Sequence, residues 1–221
     1  NDPMSIASTY NNLGSYYENI EQYDSALNCF NQGYQIYESI EYKIGMAGTL
    51  WNIGIVYFDN KDYSSAEKYL LHALTFSREI DFSEGVMGTL NMLGNTFYMQ
   101  DMLDTAINYF KEGLLMANES NRIYAKQLNL ECLYNCYVRL ENRDMEHYYV
   151  SKLRKLVMDQ LELNFFALSE HEQQRYFYSM EKSLYKYIDF SLSYYHDVPE
   201  LADTAFNMCL QSKSISLESS I

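Results

Sequence analysis

Cysteine and histidine are the residues of this chain best suited to metal binding or nucleophilic catalysis, and there are four of each. Cys132 and Cys136 stand four residues apart and would share one helical face, a spacing that supplies two ligands of a structural zinc site. His147 is the nearest histidine in sequence, and no fourth ligand follows in a recognisable pattern. Buried thiols are therefore the expectation, and no metal or other cofactor is assigned. His72, His147, His171 and His196 fall in four different helical segments, with no serine or cysteine nucleophile motif beside any of them. No catalytic residue is assigned either. Cys29 and Cys209, like the other two cysteines, lie inside helix-patterned segments rather than at disulfide-framework spacings. That usage suits a reduced compartment, and a cytoplasmic location is expected.

A second set of side chains is suited to recognition. Asn11, Asn12, Ser15 and Glu18, then Trp51, Asn52, Ile55 and Phe58, then Asn91, Asn95 and Tyr98 stand off the apolar stripes of three successive helical segments. An asparagine amide offers both a donor and an acceptor and can pair with the backbone of an extended peptide. Trp51, Phe58 and Tyr98 would add apolar anchors. The competing reading is that these asparagines cap turns or face water, and that Trp51 packs on a neighbouring segment.

Charge narrows the choice of partner. The formal net charge is -14 and the isoelectric point is near 4.6, which repels phosphate backbones and anionic membrane surfaces. Lys152, Arg154 and Lys155 form a short basic cluster that a solvated helix face accounts for. No apolar run approaches the roughly 18 to 20 residues that cross a bilayer, and the first segment lacks the apolar core of a signal peptide. Neither nucleic acid nor membrane is expected as a partner.

The elements that must position these residues repeat every forty residues. Leu13-Gly14-x-x-Tyr17 is followed by Ala26 and Phe30, Ile53-Gly54-x-x-Tyr57 by Ala66 and Leu70, and Leu93-Gly94-x-x-Phe97 by Ala106 and Phe110. Apolar residues recur every three or four positions on both sides of a short polar break, so each unit reads as an antiparallel helix pair. Gly14, Gly54 and Gly94 are expected where the two backbones approach most closely, with Ala26, Ala66 and Ala106 as the matching small surface. Gly45-x-x-Gly48 and Gly85-x-x-Gly88 cost about 1 kcal/mol per glycine relative to alanine inside a helix. Close packing against the preceding hairpin is preferred as their cause over a groove held open for a partner's main chain.

Adding forty again gives Leu133, Tyr134, Tyr137, Glu146, Val150 and Leu153, with helices near 121–141 and 143–163. Tyr134 and Glu146 replace the small residues, which predicts a fourth pair that is splayed or packed differently. The repeats fall near 7–46, 47–86, 87–126 and 127–164, and residues 165–221 form a helical extension. Ser169-Glu170-His171-Glu172 reads there as a capping box opening a long helix, and Pro199 as the first turn of another.

The Leu-Gly-x-x-Tyr, Ala and large apolar columns resemble tetratricopeptide repeats, which usually run about 34 residues. The constant twelve-residue interval from Gly to Ala fits that family, so the match is to its long, forty-residue type, with the added length expected after the core residues of the second helix. The resemblance implies an all-α, right-handed superhelix of about four helix pairs plus two longer C-terminal helices. It also implies that the off-stripe residues named above line a concave groove for a peptide, a partner domain or another domain of the same polypeptide. Asn11, Ser15, Asn52, Gly48, Gly88 and Met92 stand where a carboxylate-clamp groove would carry Lys and Arg, so chaperone-tail binding is not expected.

The C-terminal third, through Leu168-Ser169-Glu170, Arg175-Tyr176-Phe177, Pro199-Glu200-Leu201-Ala202 and Gln211 to Ser220, resembles the helical region that precedes a CHAT domain, a caspase-like bacterial peptidase. It implies a non-catalytic regulatory region of a larger protein. A stand-alone adaptor, or the sensor region of a bacterial transcriptional or signalling regulator, is the alternative.

Overall fold

Every segment carrying the repeated apolar stripe is helical in the computed structural model, which describes residues 2–165. The order is α1 (Pro3–Asn19), α2 (Tyr23–Ser39), α3 (Lys43–Asp59), α4 (Tyr63–Glu79), α5 (Ser83–Met99), α6 (Leu103–Glu119), α7 (Ile123–Arg139) and α8 (Arg143–Phe165), with no strand among the described residues. The expected helices beyond residue 165 lie outside them. Asp2 caps α1, its carboxylate accepting from the Met4 and Ser5 amides, and Pro3 sits in the first turn where its missing N–H costs nothing.

Helices α1 to α7 are each 17 residues long and all eight are joined by three-residue turns, so the forty-residue unit is two geometrically equivalent halves. The middle residue of each turn is left-handed: Glu21, Glu41, Lys61, Asp81, Asp101, Asn121 and Glu141, with φ between 50° and 64°. Around each of them the chain makes the same two bonds. Glu21 N donates to Glu18 O at 2.8 Å and Gln22 N to Tyr17 O at 2.8 Å, and the pattern recurs through Glu141 N to Val138 O and Asn142 N to Tyr137 O. This is the Schellman closure, made here without glycine. The third turn residue then accepts the first bond of the next helix, as Gln22 O does from Ala26 N at 3.0 Å. One residue thus ends one helix and starts another. The added length of the repeat is shared, because α2 continues to Ser39 after Phe30 and α3 begins at Lys43 well before Ile53.

Gly14, Gly54 and Gly94 have equivalent surroundings, but the cause differs from the expected backbone approach. A Cβ at Gly14 would lie 2.7 Å from the Phe30 ring, and one at Gly54 would lie 2.7 Å from Leu70 Cγ and Cδ2; at Gly94 it would strike Phe110. The glycine makes room for the large side chain sixteen residues on. Phe30, Leu70 and Phe110 are accordingly almost fully buried. The core then crosses from pair to pair, with Ala26 and Phe30 of α2 packed with Ile53 and Val56 of α3.

Twelve-residue spacing also builds an aromatic rung. Tyr57 stacks on Tyr69 with centroids 5.2 Å apart, Phe97 on Tyr109 at 5.4 Å and Tyr137 on Tyr149 at 5.3 Å. The first pair has Cys29 in place of the second ring. At this level the fourth pair is not splayed. What distinguishes it is Glu146, which stands in the alanine column, is 2% exposed, and pairs with Arg143 Nη1 at 3.1 Å. Burial, followed by the neighbouring Tyr137 and Tyr148 phenols, pushes the Tyr149 phenol up to about 12. By contacts the chain divides into two compact units, Asn1–Cys132 and Leu133–Ile221.

Candidate functional site

Within the first unit the two helix layers are not equally spaced. The first helices of successive pairs approach one another, α1 with α3 and α3 with α5, whereas among the described residues α2, α4 and α6 show no such approach to each other. The second layer is bridged instead by long side chains, as where Arg78 of α4 pairs with Glu112 of α6. A layer whose members crowd together lies on the inside of a bend, so the first helices form the inner face.

The structure sorts the asparagines on that face into two kinds. Asn11 donates through Nδ2 to Thr49 Oγ1 at 2.9 Å, tying α1 to α3, while Thr49 donates to Gly45 O at 2.8 Å. Its amide oxygen also occupies the space beside Gly33. Asn95 donates to Asn91 Oδ1 at 3.1 Å, and both amides lie 3.9 Å from Cys132 Sγ on α7. These three side chains hold first helices together. Asn12 and Asn52 are different: Asn12 is exposed, Asn52 is half-buried, and neither makes a hydrogen bond with a described residue. Spacing along the chain does not separate the two kinds.

The aromatic anchors also divide. Trp51 is half-buried, and its indole lies against Gly88 of the next pair, 3.7 Å from where a Cβ would stand there, with a buried Nε1 that has no partner. Phe58 packs edge-on to Tyr63 with centroids 5.7 Å apart. Tyr98, Ile55 and Ser15 are half-buried.

The second pair of repeated glycines splits along a line the sequence missed. Gly45 and Gly85 are tightly packed: a Cβ at the first would lie 2.5 Å from the Tyr42 ring and 2.8 Å from the Tyr37 ring, and one at the second would strike the Phe82 ring and lie 2.7 Å from Ser77 Oγ. Gly48 has nothing within 4 Å, and Gly88 meets only the Trp51 indole at ordinary contact distance. Preference for packing therefore holds at Gly45 and Gly85 and fails at Gly48. Gly48, Asn52, Ile55 and Asp59 then form one stripe along α3, spaced four, three and four residues apart, with Ser8, Asn12, Ser15 and Asn19 as its forty-residue counterpart on α1.

One end of this face is acidic. Burial and then the charge of Asp59 raise the Glu18 carboxyl above its ordinary value. Asp59 is itself raised by the protein volume around it, although its side chain stays open to solvent on one side, which limits the effect. Among the described residues no ion pair neutralises either group. Both sit at the C-terminal ends of α1 and α3, where the helix dipole already favours a positive charge.

No group of three or more potential metal ligands assembles among the described residues. Cys132 is half-buried against Asn91 and Asn95, Cys136 is buried and His147 is exposed. His171, His196 and Cys209 lie outside the described residues. No helix in the described part is long and apolar enough to cross a membrane.

Residues 7–40 and residues 45–119 each match a tetratricopeptide repeat family model. No curated protein sequence matches the chain significantly. Similar solved structures include aspartyl phosphate phosphatase F from Bacillus subtilis, with a TM-score of 0.69 and 19% identity over 98% of this chain and 61% of that one. A Rap protein complexed with competence and sporulation factor has a TM-score of 0.63 and 16% identity over 99% and 66%. A signal transduction ATPase with numerous domains and a tetratricopeptide repeat sensor, from Pyrococcus horikoshii, has a TM-score of 0.67 and 15% identity over 100% and 38%. The chain thus spans 61% of the phosphatase's length and less of the ATPase's. Identities this low speak for the fold alone. The helix pairs at residues 7–40 and 45–119 are tetratricopeptide repeats, and the first compact unit, Asn1–Cys132, is an α-solenoid built from them.

Proposed function

We propose that this chain is a protein-interaction scaffold that holds a peptide or partner domain on the inner face of its first helices. The observation that carries the reading is the pair Asn12 and Asn52, forty residues apart on adjoining helices, with amides that no described residue uses. Two unspent amides in register beside an open glycine at position 48 match the donor and acceptor of an extended main chain. The fold neighbours support recognition as the role, since one Rap protein is seen with competence and sporulation factor and the P. horikoshii ATPase carries its repeats as a sensor. Ile55, Phe58 and Tyr98 supply the apolar contacts, and no catalytic role is assigned to the chain.

Peptides selected on the wild-type chain from a random library test this. Asn12→Ala combined with Asn52→Ala should abolish their binding while helicity and melting temperature stay unchanged, because neither amide supports the fold. Equal binding to the double variant would show that the partner sits elsewhere. Trp51 belongs in a separate variant, because its indole packs on the next repeat and its loss would also weaken the array.

The finer reading is that this array is the cytoplasmic regulatory region of a larger bacterial CHAT-type caspase-like protein. It rests on the resemblance of residues 168–220, which lie outside the described residues. A reading frame that continues past Ile221 into a β/α domain with a histidine and a cysteine would bear it out. A stop codon would favour a stand-alone adaptor, and a helix-turn-helix extension the sensor of a regulator.

A further inference from the structure

A repeat face that no neighbour covers is kept polar in a soluble linear array. One face of α1 breaks that rule. Ile6, Thr9, Leu13, Tyr16 and Ile20 recur every three or four residues and so form a single stripe along the helix. Its four large members are between 36% and 57% exposed. Forty and eighty residues on, Thr49, Ile53 and Val56 of α3 and Thr89, Leu93 and Thr96 of α5 occupy the same positions and are 3% exposed or less. The fold itself shows what covers such a stripe, because Ala26 and Phe30 of α2 pack with Ile53 and Val56, and α4 packs against α5. A second-type helix, with a small residue followed four positions later by a large apolar one, therefore fits Leu13 and Tyr16 as well. Charge selects its source. Residues 1–42 hold six carboxylate side chains and no lysine or arginine, so a second copy of this chain, with its net charge of -14, is repelled and a basic helix is attracted. The exposed Tyr16 ring adds a surface for a lysine or arginine head group.

We propose that the stripe centred on Leu13 and Tyr16 docks a basic amphipathic helix of a partner protein, seated on α1 as α2 is seated on α3. This surface lies beside the inner face and uses neither Asn12 nor Asn52, so it stands or falls independently of the groove.

The probe is a fluorescein-labelled peptide with the α2 sequence, Tyr23–Ser39, carrying Asp24→Lys, Asn28→Lys, Gln35→Lys and Glu38→Lys at its exposed positions and Cys29→Ala against oxidation. One control peptide keeps the four native polar residues, and a second adds Phe30→Ser to the basic one. By anisotropy the basic peptide should bind the full chain about tenfold more tightly than either control at about 50 mM salt, and its advantage over the acidic control should shrink at about 500 mM. Leu13→Ser with Tyr16→Ser should weaken it about tenfold. Tyr16→Ser alone, at the most exposed of the four large side chains, should weaken it severalfold with the melting temperature unchanged. Asn12→Ala/Asn52→Ala should bind it as wild type does. The site is wrong if no peptide binds, if all three bind equally, or if the basic peptide binds Leu13→Ser/Tyr16→Ser as well as wild type. A wild-type dimer in sedimentation that the same double variant turns into a monomer would give the stripe to a second copy and overturn the basic partner.

Discussion

A methyl group at Gly54 would meet Leu70 side-chain atoms at 2.7 Å, and one at Gly48 would meet nothing within 4 Å. Gly54→Ala should therefore cost about 1–3 kcal/mol through overpacking, and Gly48→Ala should add about 0.5–1 kcal/mol through helix propensity; urea melts of both variants check the contrast. Lys61 is held at φ 62° without hydrogen-bonding compensation from its side chain. Lys61→Gly should stabilise by about 0.5–1 kcal/mol, whereas Asn121→Gly should do less, because asparagine tolerates that region better. Glu18 gives a pH signature. Its folded-state carboxyl titrates above the ordinary 4.5, so the folded chain holds the proton more tightly, and its contribution to stability falls as pH rises from about 4.5 through the raised value. Glu18→Gln should melt higher than wild type at pH 7 and at the same temperature below pH 4.

Between elements, the aromatic rungs repeat alongside the columns of small residues, one stacked pair in each of the second, third and fourth helix pairs. Tyr57 and Tyr69 stack at an interplanar angle of 13° and Phe97 and Tyr109 at 3°. A double-mutant cycle with Tyr57→Leu and Tyr69→Leu should return a coupling of about 0.5–1.5 kcal/mol beyond area burial. The rung is legible in the sequence as a second column spaced by twelve, at Tyr57/Tyr69, Phe97/Tyr109 and Tyr137/Tyr149, parallel to the glycine-to-alanine interval. The fourth pair shows which column sets the spacing. Loss of its small residues suggested splaying, while its retained tyrosines keep the ring spacing of the other pairs and Glu146 brings its own arginine.

Across the first compact unit, each pair is stabilised mainly by its neighbours, as in any linear repeat array. Leu13, Ile53 and Leu93 occupy the same column, yet Leu13 is 39% exposed while Ile53 is 3% and Leu93 is 0%. Leu93→Ala should cost about 2–5 kcal/mol, within the range for a filled core site, and Leu13→Ala less than about 1 kcal/mol. Calorimetry of the two variants checks whether column identity or position in the array governs stability. The unequal spacing of the two helix layers acts at the same scale. It turns one set of surfaces inward and concentrates Asn12, Asn52, Glu18 and Asp59 on it.

Sequence alone determined the helical class, the forty-residue unit, the pairing of helices and the columns that face the core, because each of these follows from local periodicity and residue size. It also singled out the first helices, on which a binding face is proposed. Only the tertiary structure decided which asparagines on that face are spent and which are open. Asn11 finds its partner at Thr49 and Asn91 finds Cys132, 38 and 41 residues away, distances at which the rise and tilt between stacked pairs, not spacing along the chain, set what touches. The same holds for Gly45 and Gly48. They sit on one turn of one helix, and only the neighbour packed against the first tells them apart.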